Sequence, residues 1–212
     1  MFGPIEDLLH SKEVDDDGWV RIASLRWDAR NLICDLCVDE SYGGRTVVWW
    51  QVSCREVRDF LITDVNGGGL QIDGGDHPVV RQHSDPRVDL SFRGQAADPI
   101  RLIGSLWQVH REICDDWIPF DRYVNTALPL EELLASRSGK LAAGPRFLLE
   151  AYVRALHDHG VSSSLSGERP VARFVDGQWR EQQKSLLVMH CGQSFVVAEQ
   201  FGARRLEGEP GS

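Results

Sequence analysis

Between Asp98 and Trp117 the chain reads DPIRLIGSLWQVHREICDDW, and no other stretch leaves the backbone so little choice. Asp98 can accept backbone N–H bonds as an N-cap, and Pro99 fits the first helical position, where no donor is required. Ile103, Leu106, Trp107, His110, Ile113, Cys114 and Trp117 recur at three- and four-residue steps, the stripe of a helix lying on a core. Arg101, Gln108, Arg111 and Glu112 take the opposite side. Asp115 and Asp116 oppose the helix dipole, and Ile118-Pro119 closes the element. The rest of the fold is expected to pack around this helix. His110, in mid-stripe, is expected to be a buried neutral imidazole bonded to a backbone carbonyl or a hydroxyl.

Before this helix the pattern is mostly strand. Trp19 to Trp27, Leu32 to Val38, Thr46 to Cys54, Val57 to Thr63 and Val88 to Phe92 read as strands, with glycine turns at 43–44, 66–69 and 74–75. Such short spacing favours an antiparallel sheet or partly closed barrel over βαβ units. A small helix is expected at Ile5 to His10. After the central helix, Phe120 to Asn125 and Leu130 to Ser136 read as short helices. Gly144 to His159 reads as a second good helix, with Pro145 at its start and Gly160 just past its end. Val171 to Val175, Leu186 to His190 and Phe195 to Phe201 read as strands, the last two a hairpin around Gly192-Gln193. The expected class is α+β: an N-terminal antiparallel sheet, a helical middle and a C-terminal β-hairpin. A single unit over residues 1–212 is expected, mainly β over 18–95, mainly α over 98–160 and mainly β over 168–207.

Charge narrows the partner. The formal net charge is −9 and the isoelectric point is about 5.2. Duplex-binding proteins gain affinity by neutralising phosphates with Lys and Arg, so nucleic acid is not expected as the main partner. No apolar run approaches the roughly 18 residues of a membrane span, and the acidic start lacks the pattern of a signal peptide. Five cysteines without a dense framework read as reduced thiols in a cytoplasmic protein.

The motifs that suggest chemistry are incomplete. Cys34 and Cys37 have C-x-x-C spacing, but no second pair completes a zinc site, and their place in an alternating strand sends them to opposite faces. The P-loop pattern fails around Ser138-Gly139-Lys140, where Leu134 stands in place of the first glycine and Leu141 in place of the magnesium-binding hydroxyl, and Gly67-Gly68-Gly69 lacks the following helix and lysine. No G-x-S-x-G is present. His157-Asp158-His159 suits a helix C-terminus. One polar loop carries Asp76, His77, His83 and Asp85, a set able to hold a divalent metal or to pair as acid and base. Its proline-bounded, polar character equally suits an ordinary surface loop.

What remains is an aromatic and acidic surface. Trp27 and Trp49, rimmed by Asp35, Asp39 and Glu40, would suit a protein partner with basic rims. The expected function is therefore a non-enzymatic protein-interaction module of the adaptor, inhibitor or immunity-protein kind, with no cofactor. The alternative is a metal-assisted hydrolase or other small enzyme using the Asp76 to Asp85 loop.

Overall fold

The computed structural model describes residues 19–28, 31–39, 47–63, 69–175, 177–181 and 185–209. The helix at Ile5 to His10 and the Gly43-Gly44 turn lie outside them. In chain order the strands and helices are β1 (Trp19–Asp28), β2 (Asn31–Asp39), β3 (Val47–Arg55), β4 (Asp59–Leu61), β5 (Leu70–Asp73), α1 (Pro78–Arg81), β6 (Arg87–Arg93) and α2 (Pro99–Cys114). They continue as α3 (Leu130–Ala135), β7 (Ser138–Pro145), α4 (Arg146–Asp158), β8 (Ser162–Arg169), β9 (Ala172–Val175), β10 (Gln178–Glu181), β11 (Leu187–Cys191), β12 (Ser194–Ala198) and β13 (Gln200–Leu206). The class is α+β with antiparallel sheets, and the described strands close no barrel. No described helix is long and apolar enough to cross a membrane.

The chain divides into two compact units, Met1–Val80 with Lys184–Ser212, and Arg81–Gln183. The first contains two four-stranded sheets, ordered β1-β2-β3-β13 and β4-β12-β11-β5. Their facing side chains form one core: Leu32, Cys34, Leu36, Val52 and Cys54 from the first sheet meet Leu70, Met189, Cys191 and Val196 from the second. Alternation produces this directly, since β3 buries every second residue from Val48 to Cys54.

Two strands turn from one sheet into the other. After β3 the backbone bends at Glu56, with φ of 53°, and continues as β4; after β12 it bends at Glu199 and continues as β13. The sequence suggested one strand from Phe195 to Phe201, whereas the two halves pair in different sheets. The bends are joined by Glu199 N–H donating to Arg55 O at 3.1 Å and Arg58 N–H donating to Val197 O at 2.8 Å. The Arg58 guanidinium, 2.6 Å from the Glu199 carboxylate, locks the corner with both side chains largely buried. The C-terminal hairpin is present as expected, β11 pairing with β12 around Gly192-Gln193. Gly192 supplies the positive φ of 58° that the turn requires.

The second unit holds the helix at Asp98. Asp98 accepts the Arg101 N–H at 3.0 Å, and Leu102, Leu106, His110 and Cys114 are the buried stripe. This helix organises its own unit, while the N-terminal sheets have a separate core. β6 does not join the N-terminal sheet. It is the middle strand of the order β7-β6-β8. Neither β7, whose last two residues the sequence assigned to the helix from Gly144, nor β8 was anticipated. Phe120 to Arg122 forms only a 3-10 turn. Gly160 follows α4 with φ of 71°, the expected end of that helix.

His110 is satisfied as expected. Its Nε2 lies 2.6 Å from Ile118 O and its Nδ1 lies 2.8 Å from the Tyr152 hydroxyl. A carbonyl can only accept, so Nε2 carries the proton and Nδ1 accepts from Tyr152. Burial pulls the His110 pKa down, against the Ile118 carbonyl, which favours the charged ring. Cys114 on the same stripe is pushed up to about 12 by burial, an inert thiol.

Candidate functional site

Cross-strand register separates the residues that the sequence grouped into one surface. Trp27 pairs with Leu32, which pairs with Cys54, so Trp27 belongs to the core-facing side of its sheet. Trp49 pairs with Cys37 and belongs to the opposite side. The two indoles therefore do not share a face. A bulge between Ile22 and Ser24 shifts the alternation along β1, so Leu25 follows Val20 and Ile22 towards the core although the parity of its number differs.

Asp35 is not a rim carboxylate. It is 1% exposed and accepts from Ser24 Oγ at 2.6 Å, from Gln51 Nε2 at 2.8 Å and from the Arg26 guanidinium. Burial raises its pKa, and the bonds from Ser24, Gln51 and Arg26 outweigh that and hold it below the ordinary carboxylate range. This is an internal polar hub on the side of the sheet away from the core. Trp49 on that side is half-buried. The Asp39 side chain and Glu40 lie outside the described residues.

Trp27 keeps company that the sequence did not suggest. It lies beyond the edge of the core and is 54% exposed, with its ring centroid 6.2 Å from that of Phe60 and the planes at 70°. Phe60 and the adjoining Leu61 are 44% and 46% exposed. The edge-to-face contact orients two large rings that both remain open to solvent. Each ring has a carboxylate beside it in the chain, Asp28 after Trp27 and Asp59 before Phe60, and Asp59 Oδ1 fixes the local backbone by accepting the Phe60 N–H at 2.9 Å.

The polar loop is redistributed too. Asp85 Oδ2 accepts the Phe147 N–H at 2.7 Å, which caps the first turn of α4 and explains that residue structurally. Asp76 is exposed in the turn closed by His77 N–H on Gly74 O, and His83 is half-buried in the second unit. Only His77 of the four joins a group with metal-ligating geometry. With Asp73 and His190 it places three potential ligand atoms within 4.8 Å of one another, and no other described group of three does so.

This second cluster is built by sheet pairing. Asp73 lies opposite Val188 and His190 opposite Gln71, so Asp73 and His190 are diagonal neighbours on one face of the β5–β11 pair. His190 Nε2 is 2.7 Å from Asp73 Oδ2. The Gly74–His77 turn returns the chain so that the His77 ring lies 5.4 Å from the His190 ring, tilted by 32°. Burial pulls the His77 pKa down and the neighbouring His190 adds to this, while Asp73 opposes it. Neither Asp73 nor His190 was singled out in the sequence. Nothing local could have revealed them, because 117 residues separate the pair.

No family model, curated protein or solved structure matches this chain.

Proposed function

We propose that the protein is a non-enzymatic interaction module that binds a protein partner through the surface centred on Trp27 and Phe60. The observation that carries this reading is the pair of half-exposed aromatic rings held edge-to-face beside exposed Leu61. Aromatic side chains preset in this way lose little rotamer freedom on binding and carry large contact areas, the character of interface anchors. The partner would offer an apolar pocket for the rings and basic groups around it. Asp28 and Asp59 adjoin the rings, and the whole chain carries a net charge of −9.

The test is affinity purification from the native cell with wild-type protein and with the Trp27→Ala, Phe60→Ala double variant. A partner retained by the wild type and lost by the folded double variant supports the reading. Identical recovery by both would remove its basis.

A further inference from the structure

We propose that Asp73, His77 and His190 bind a divalent transition-metal ion of the zinc class. The three side chains come from β5, from the turn after it and from β11, all within the first unit. The set is chemically matched to such an ion. Two imidazoles and one carboxylate suit borderline cations, whereas calcium and magnesium favour oxygen ligands alone.

The distances define the movement needed. Tetrahedral bonds of about 2.0–2.1 Å put ligand atoms about 3.3 Å apart. Asp73 Oδ2 and His190 Nε2, now at 2.7 Å, would open by about 0.6 Å as the ion replaces their shared proton. Every ligand atom already lies within 4.8 Å of the others, so His77 closes by at most about 1.5 Å, within reach of a χ-angle adjustment. His77 Nδ1 accepts a long 3.3 Å contact from the Val79 N–H. Coordination replaces that contact in either mode: through Nδ1 it takes the lone pair, and through Nε2 it places the proton on Nδ1.

The backbone suits the role. His190 and Asp73 are held by paired strands, and the Gly74–His77 turn supplies the third ligand. His190 is 11% exposed and Asp73 48%. The site is thus walled on the His190 side and open to water on the Asp73 side, so the fourth position of a bound ion would be taken by solvent.

The experiment is calorimetric titration of chelator-treated full-length protein with Zn²⁺ alone, repeated with Co²⁺ followed by its visible absorption. One equivalent should bind, and Co²⁺ should show the intense visible bands of a low-coordinate nitrogen–oxygen site. His77→Ala, His190→Ala and Asp73→Asn should each weaken Zn²⁺ binding by about tenfold or more, with folding checked by circular dichroism. His77→Gln serves in place of any variant that does not fold. His83→Ala and His157→Ala should bind as the wild type does. Absence of binding, uptake that all the ligand variants retain, or loss on His83→Ala or His157→Ala would overturn the proposal.

Discussion

Asp35 decides between a surface and an internal reading of the first sheet, and substitution there has a calculable cost. Three donors converge on a carboxylate that is 1% exposed. Hydrogen bonds to a charged group contribute about 1.5–3 kcal/mol each before compensation. Ser24 and Arg26 are exposed and recover water when the carboxylate is removed, whereas Gln51 is half-buried and recovers less. The net cost of Asp35→Ala is therefore roughly 2–4 kcal/mol, and that of Asp35→Asn, which keeps an acceptor, about 1–2 kcal/mol. A solvated rim carboxylate would cost no more than about 0.5 kcal/mol. Urea unfolding at pH 7, followed by circular dichroism, separates the two. The sign with pH is also fixed. The folded-state pKa is lowered, so the contribution is present above the unfolded value of about 3.9 and is lost as pH falls through the folded one. Two variants that both unfold within about 0.5 kcal/mol of wild type would refute the buried hub.

Other positions give equally definite outcomes. Tyr152→Phe removes the donor to His110 Nδ1 inside the second core and should cost about 1–3 kcal/mol in urea unfolding. Because burial lowers the folded pKa of His110, its contribution is complete above the unfolded value of about 6.5 and declines as pH falls through the folded one. His110→Gln should flatten that part of the stability–pH curve. A Cβ at Gly144 would lie 2.8 Å from Tyr123 Cγ, and the Tyr123 hydroxyl is tied to Gln82 Oε1, so Gly144→Ala should destabilise by about 1–3 kcal/mol. Gly104→Ala, on the exposed side of α2 with open space around it, should instead stabilise by up to about 1 kcal/mol in the same assay.

How far the residues reveal the fold depends on whether the information is local. α2 was legible through its apolar period and its Asp98–Pro99 start, and α4 through its apolar period, Pro145 before its first turn and Gly160 just past its end. β3 was legible through its Val- and Trp-rich alternation. β7 and β8 were not: SGKLAAGP and SSSLSGER contain no Val, Ile, Thr or aromatic residue, and they are strands because both edges of the apolar β6 need partners. Alternation correctly sent Asp35 away from the core, but that side of the sheet is itself closed by Arg26, Ser24 and Gln51. Trp27 was noticed and Phe60 was not, since their meeting depends on strands that turn from one sheet into the other. Likewise His77 was visible as part of a polar loop, while Asp73 and His190 become neighbours only through the β5–β11 register.

The reading of this protein as an interaction module is tested most directly by the affinity of its co-purified partner. Isothermal titration should show that Trp27→Ala with Phe60→Ala weakens binding by about 2 kcal/mol or more, some thirtyfold. Trp107→Ala, an exposed indole of the second unit, should leave it unchanged. Undiminished affinity in the double variant, or a loss produced by Trp107→Ala instead, would contradict the assignment.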